Sequence, residues 1–137
     1  MLRPLNSLLA LVALSGCTAP QSAIPFSRAQ AGDFVSTSKL SVVGVIDTTG
    51  VNFYSLFADE SQRAGTDCIS LILDHQGQAI AKRLSGRGAI ATGNAIPMDE
   101  LNQAMPNQYS EINGREWSGT RCTGRIAIYV TALKAVH

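Results

Sequence analysis

The chain has 137 residues, with eleven Lys and Arg side chains against ten Asp and Glu, and a formal net charge of +1 at neutral pH. Apolar residues make up 45% of it and charged residues only 15%, which excludes an extensively disordered polypeptide. The length is that of one domain with a substantial core, and the nearly neutral charge argues against a general nucleic-acid-binding protein.

The first seventeen residues have the layout of a bacterial export signal. Arg3 supplies a positive charge, and the apolar run from Leu8 to Leu14 is too short to span a bilayer as a helix. The next residues complete the motif Leu14-Ser15-Gly16-Cys17, which resembles the lipobox of bacterial lipoproteins. The resemblance implies cleavage before Cys17, with residues 1–16 as the signal peptide. It also implies acylation of Cys17, which would make the lipid bilayer the partner of the anchor.

Residues 17–33 are predicted to form the lipidated cysteine and a flexible tether. The stretch contains Pro20, Pro25, Gly32 and several small polar side chains, a composition typical of linkers. Thr18 follows the cysteine where an aspartate would signal retention in the inner membrane. By analogy with enterobacterial lipoproteins, this favours the outer membrane, with the domain of residues 34–137 facing the periplasm.

The chain contains three cysteines, and an odd number in an exported protein leaves one cysteine without a disulfide partner in the same chain. The lipobox resemblance accounts for Cys17 and leaves Cys68 and Cys122 as a pair. The periplasm is oxidising, so the resemblance implies a structural disulfide between them. Neither residue lies in a Cys-x-x-Cys motif or near a histidine, which disfavours redox or metal chemistry.

Two β-branched or aromatic runs open the predicted domain, followed by a polar loop over residues 59–67. Residues 34–47 are predicted to form a long strand with a bend or bulge near Gly44, and residues 51–58 a second strand. Residues 68–73 are apolar at nearly every position, which predicts a third strand buried on both faces.

The second half of the chain is less regular. Four short segments are predicted after the third strand: a turn at 74–77, a short helix or edge strand at 78–84, a fourth strand at 89–93, and a helix of two turns at most over 99–105. Asn113-Gly114 is a strong hairpin signal, and residues 121–136 are predicted to form the last long strand.

Five strands in this spacing, the first long and bent at a glycine, resemble the oligonucleotide/oligosaccharide-binding (OB) barrel. The piece LSGRGAIATG over residues 84–93 is similar to the approach to the fourth strand in small bacterial OB domains. The resemblance implies an all-β fold, a five-stranded OB-like barrel with a short helix or two; the alternative is a small β-sandwich. In the OB fold the third and fifth strands lie side by side, which would bring Cys68 near Cys122.

Candidate chemistry is sparse, and one arginine-aromatic cluster stands out. The resemblance implies a ligand face on strands two and three, flanked by the loop of residues 94–119, which contains Arg115 and Trp117. Arg121, at the start of the last predicted strand, is the third candidate ligand-binding residue. Arginine beside an aromatic side chain can bind sugars, phosphates or carboxylates. The competing and favoured interpretation for Trp117 is that it caps the barrel end against the disulfide. His75 is interpreted as a solvated turn residue.

These features predict a non-catalytic binding or structural module whose partner is an envelope protein or glycan. No cofactor, metal or nucleic acid is expected, and the sequence contains no nucleophile elbow or histidine cluster. The alternative is an inhibitor of an envelope-directed enzyme such as lysozyme, which would insert the segment 94–119 into the enzyme's cleft. A nucleic-acid binder follows from the fold alone and is disfavoured.

Overall fold

The computed structural model describes residues 23–31, 39–48, 53–104, 109–112, 114–118 and 122–136. Cys17, Arg121 and the predicted signal peptide lie outside these residues. In chain order the described elements are α1 (Phe26–Ala31), β1 (Lys39–Asp47), β2 (Ser55–Phe57), a 3₁₀ helix (Glu60–Gln62), β3 (Cys68–Ile72), α2 (His75–Arg83), β4 (Gly88–Pro97), α3 (Met98–Ala104), β5 (Tyr109–Ile112), β6 (Arg115–Ser118) and β7 (Ile126–Ala135).

Five of the strands form a closed barrel in the order β1-β2-β3-β7-β4. All neighbours are antiparallel except β3 and β7, which run parallel. This is the strand arrangement of an OB barrel, so the predicted all-β, OB-like fold is confirmed over the β-sandwich alternative. β5 and β6 form a separate hairpin between α3 and β7.

Alternation along the strands divides the apolar residues between the barrel interior and its outer face. Ile46, Leu56 and Ile69 lie in register on neighbouring strands, and all three are fully buried in the main core. On the outer face, a second cluster joins β3 and β7 to α3 through Ile72, Ala127, Met98 and Leu101. β3 is therefore buried at every position, as its continuous apolar run predicted.

Gly44 of β1 and Gly93 of β4 lie where neighbouring barrel strands approach closely: Gly44 faces Phe57 of β2, and Gly93 faces Tyr129 of β7. A Cβ atom on Gly44 would lie 2.5 Å from the carbonyl oxygen of Phe57, so β2 can approach β1 only where the side chain is missing. The predicted bulge is not at Gly44, because the register of β1 with β4 runs through it without a break. The register shift lies instead between Thr92 and Gly93, where β4 faces β7.

α2 begins earlier than the sequence predicted. The side chain of Asp74 accepts a hydrogen bond of 2.7 Å from the backbone N–H of Gly77, and the helix starts at His75. Aspartate favours both turns and helix N-caps, and here it caps the helix, so the predicted turn at 74–77 is wrong. The segment 78–84, predicted as a helix or edge strand, is the remainder of α2 up to its cap at Leu84.

Several predicted boundaries also move. The fourth strand, predicted over 89–93, extends over Gly88–Pro97 because β7 pairs with it along its whole length. The last strand begins at Ile126 and not at residue 121. The helix Met98–Ala104 and the hairpin beside Asn113-Gly114 are present as predicted, and Gly114 takes the positive φ angle that the turn needs.

Part of the predicted tether belongs to the folded domain. The backbone N–H of Ile24 donates a hydrogen bond of 2.8 Å to the carbonyl of Ser41 on β1. Phe26 and Ala29 of α1 are buried in the main core. The backbone N–H of Arg125 donates to the carbonyl of Gln30, which ties the end of α1 to the segment before β7. Residues 23–31 therefore pack as part of the barrel, and the domain begins before residue 34.

Candidate functional site

The side chain of Arg115, one of the three predicted ligand-binding residues, lies where the barrel closes. Its Nη1 atom donates hydrogen bonds to the carbonyl oxygens of Ile72 at 3.0 Å and Val130 at 2.7 Å. Its Cζ atom lies 3.9 Å from the centre of the Tyr129 ring, a cation-π contact. Arg115 thus anchors β6 to both β3 and β7. A ligand that used the same Nη1 atom would compete with two main-chain carbonyls.

A weaker ion pair extends this network towards α2. The Nη2 atom of Arg115 lies 3.8 Å from Oδ2 of Asp74, the residue that caps the helix. The Arg115 side chain is 14% exposed, whereas that of Asp74 is 57% exposed. Solvent screens such a pair, so the carbonyl hydrogen bonds account for most of the anchoring.

The other two predicted ligand-binding residues are not brought into this site by any described contact. Trp117 lies in β6 in register with Ser110 of β5, and its side chain is outside the described residues, as is the whole of Arg121. Their part in ligand binding stays a prediction, and so does the interpretation of Trp117 as a cap on the barrel end.

The structure contains the predicted disulfide between Cys68 and Cys122. Their Cα atoms are 4.9 Å apart and their positions are 54 residues apart in the chain. The bridge joins the start of β3 to the segment before β7, and it packs with Phe53 and Phe57 in a small buried cluster on the outer face. A loop of this length predicts a stabilisation of about 4 kcal/mol in the chain-entropy model.

Sequence reasoning missed an ion pair between the buried carboxylate of Asp47 and the half-buried guanidinium of Arg63. The Nε and Nη2 atoms of Arg63 donate to Oδ1 of Asp47 at 3.1 and 2.9 Å, and Nη1 donates to Glu60 at 2.8 Å. These hydrogen bonds to Glu60 and Asp47 raise the pKa of Arg63. Asp59 caps the 3₁₀ helix through the backbone N–H of Ser61. These acidic residues therefore have local structural roles, which the polar composition of the loop did not specify.

The outer face of β2 and β3, where OB barrels bind their ligands, is covered in this protein. Every residue of both strands is buried. Ser55 and Ser70 lie opposite one another on this face, and their hydroxyl groups have no hydrogen-bond partner in the described part of the chain. A ligand cannot reach these strands without displacing what covers them. Binding of a ligand on this side of the barrel stays a prediction.

An open groove lies on another side of the barrel, between α2 and the second half of β7. It has a volume of about 260 Å³, and Gln76, Gly77 and Ile80 form its helical wall. Residues 130–134 of β7 form the opposite wall. We call this the β7 groove. Its walls contain both apolar and polar residues.

Among the residues that the structure describes, no group of His, Cys, Asp and Glu side chains is placed to hold a metal ion. His75 is exposed in the first turn of α2. Within the same residues, the helices are all too short or too polar to cross a membrane. Comparison of the chain with protein-family models, with curated proteins and with solved structures finds no significant match.

Proposed function

We propose that the protein is a lipid-anchored protein of the bacterial cell envelope, whose OB-like barrel is a non-catalytic binding or structural module facing the periplasm. The observation that most supports this is the Cys68–Cys122 disulfide. It accounts for two of the three cysteines and fits an oxidising compartment. The third is Cys17 at the end of the lipobox-like motif, where a lipid would be attached.

The packing of residues 23–31 determines how such an anchor would hold the barrel. Six residues separate Cys17 from Ile24, which is docked on β1. An extended chain advances at most about 3.6 Å per residue, so Ile24 would lie within roughly 25 Å of the lipidated cysteine. The barrel end with α1 would therefore be next to the bilayer.

The mass of the intact protein purified from bacterial membranes tests this proposal. We expect a chain that begins at Cys17 and has the added mass of a diacylglycerol and an amide-linked acyl group. Reduction should add the mass of two hydrogen atoms as the disulfide opens. A Cys17→Ser variant is the matched control, which should keep the disulfide but gain no lipid. An unmodified chain beginning at Met1 would overturn the assignment.

The binding role is tested separately from the anchor. Cross-linking in intact envelopes, followed by purification under denaturing conditions, should recover a covalent partner protein, or labelled envelope glycans should bind the purified barrel. Failure of both would count against a binding module and leave a purely structural role. The alternative, an inhibitor of lysozyme, predicts a lower rate of cell-wall hydrolysis when the protein is added. An unchanged rate would remove that candidate.

A further inference from the structure

Val43 and Val136 are the exposed large apolar side chains of the described residues, at 40% and 43% exposure, and they lie on the same side of the barrel. Val43 of β1 is in register with Ile90 of β4, and Ile90 with Lys134 of β7. Val136 donates a backbone hydrogen bond of 3.0 Å to Gly88, which faces the same side of β4 as Ile90. We call this outer surface of Val43, Ile90, Lys134 and Val136 the β4 face.

The β4 face is the cationic side of a barrel whose net charge is close to zero. The segments 34–46, 75–98 and 117–137, which supply its strands, contain no Asp or Glu. Lys134 is exposed on the face, and Arg87 is exposed directly before β4, where its carbonyl oxygen accepts a hydrogen bond from the backbone of β1. Both cations therefore border the apolar side chains of the face.

The exposed acidic side chains lie elsewhere on the molecule. In the strand order β1-β2-β3-β7-β4, the strands across the barrel from β4 are β2 and β3. The loop that joins these two strands contains three exposed acidic residues: Asp59, Glu60 and Asp67. Asp99 and Glu100 follow the end of β4 that is remote from Ile90. An anionic surface would therefore attract the β4 face and repel the side of the β2–β3 loop.

The segment that leads to the lipobox-like motif joins the barrel beside this face. Ile24 forms a parallel bridge with Val42 of β1, the neighbour of Val43 in the chain. Only six residues separate Ile24 from Cys17. A lipid on Cys17 would hold β1 close to the headgroups of the bilayer, and the β4 face with it.

We propose that the β4 face lies on the surface of an anionic phospholipid bilayer when the chain is anchored. The proposal rests on the proposed function, because it requires the lipid on Cys17. The valine and isoleucine side chains enter the headgroup region, and Arg87 and Lys134 bind lipid phosphates. An anionic glycan would suit the same charges, but the short connection to a lipid favours the bilayer. The loop between β2 and β3 then faces away from the membrane.

Paramagnetic relaxation tests the proposal on the full lipidated chain in lipid nanodiscs. Nitroxide groups on the lipid headgroups broaden the NMR signals of backbone amides that lie near them. With phosphatidylglycerol in the nanodisc, the amides of Val43, Ile90 and Val136 should broaden, whereas those of Gly65 and Asp67 should not. Nanodiscs of phosphatidylcholine alone should broaden the β4 face less, and so should high salt, because both weaken the attraction between the cations and the bilayer.

The double variant Arg87→Gln/Lys134→Gln removes two positive charges from the face and its border. The ratio of barrels that contact the bilayer to barrels that do not should fall about fivefold for each cation removed, and the broadening should fall with it. Gln62→Glu/Thr66→Glu is the matched control, since it changes the net charge by the same amount at exposed positions of the loop between β2 and β3. Its broadening should stay close to that of the wild type.

Equal broadening of the Gly65 and Val43 amides would show that the barrel tumbles freely on its tether, and would overturn the proposal. An equal loss of broadening in the two double variants would do the same. A dimer whose β4 face is protected from the nitroxide in every lipid would assign the face to a second copy and would also overturn it. The lipid on Cys17 is measured first by mass. A chain without lipid would overturn both proposals, whereas an anchored chain without broadening on the β4 face would overturn only this one.

Discussion

Oδ1 of Asp47, at the buried end of β1, accepts hydrogen bonds from both Nε and Nη2 of Arg63 in the loop after β2. The Asp47 side chain is only 3% exposed, so an uncompensated charge there would be costly. The pair connects the barrel to the polar loop that contains the 3₁₀ helix. This loop therefore depends on a contact with the end of a strand, and its own residues supply only part of its stability.

We expect Arg63→Gln to lower the free energy of unfolding by about 2 kcal/mol, because the Asp47 carboxylate would lose two charged hydrogen bonds in a buried position. Urea unfolding followed by circular dichroism measures the change. Glu60→Gln is the control, since the Glu60 side chain is 66% exposed and its pair with Arg63 should contribute less than about 1 kcal/mol. Equal losses in the two variants would contradict the assignment.

The raised pKa of Arg63 predicts that the effect of Arg63→Gln does not depend on pH near neutrality. Hydrogen bonds from Arg63 to Glu60 and Asp47 raise the pKa of Arg63, which is already far above neutral pH in unfolded chains. A base with a raised pKa adds stability that is complete below its unfolded pKa and is lost only as the pH passes the folded one. The cost of Arg63→Gln should therefore be the same at pH 6 and pH 9. If the loss of unfolding free energy caused by Arg63→Gln became smaller from pH 6 to pH 9, another group in the pair would be titrating.

Reducing the Cys68–Cys122 bridge should destabilise the barrel by about 3 to 4 kcal/mol, because the loop that it closes is long. The double variant Cys68→Ala/Cys122→Ala should lose about the same amount in denaturant unfolding, and reductant should not lower its stability further. Cys17→Ser is the control: its stability should equal that of the wild type in detergent and should still fall on reduction. A double variant as stable as the wild type would contradict a structural role for the bridge.

Arg115→Met should loosen the β5–β6 hairpin while leaving the barrel closed. The substitution removes two hydrogen bonds to main-chain carbonyls and the contact with the Tyr129 ring, yet the strand register of the barrel does not depend on it. We expect faster amide exchange in residues 109–118 and a loss of about 2 kcal/mol in stability. Arg125→Met, an exposed arginine before β7, should change neither quantity. Unchanged exchange in Arg115→Met would show that other contacts hold the hairpin.

The strands were predictable because their signals are local, whereas the contacts around the candidate site are not. β3 could be recognised as buried on both faces from its own residues, and Asn113-Gly114 predicted the hairpin. Asp74 favours a turn and a helix cap equally, so only the fold decides between them. Arg115 binds carbonyl groups, which every residue has, so no sequence pattern could identify its acceptors. The burial of Phe26 and Ala29 in the core could not be predicted, because the prolines and small polar residues around them are typical of a linker.

Replacing Ser70 by alanine should stabilise the protein by about 1 kcal/mol. Its hydroxyl group is buried on the outer face without a hydrogen-bond partner in the described residues, and removing an unsatisfied buried group relieves its desolvation cost. Ser41→Ala is the matched control, because the Ser41 hydroxyl is also buried but lies 2.7 Å from the hydroxyl of Thr92. That variant should lose about 1 kcal/mol. Thermal unfolding measures both changes in stability. If both variants were stabilised, or both destabilised, the Ser70 and Ser41 hydroxyl groups would not differ as described.

Gly93→Ala should prevent the barrel from closing normally. An added Cβ atom would overlap the carbonyl group of Tyr129 at the register shift between β4 and β7, and both strands there are held by long antiparallel pairing. Because neither backbone can move without breaking strand pairing, we expect the free energy of unfolding to fall by more than about 3 kcal/mol, as measured by urea unfolding. Gly65→Ala is the control, since an added Cβ atom would have no neighbour closer than 3.5 Å. Its stability should change by less than about 1 kcal/mol. Two variants of similar stability would show that β4 and β7 can separate at the shift, and that the barrel is held closed elsewhere.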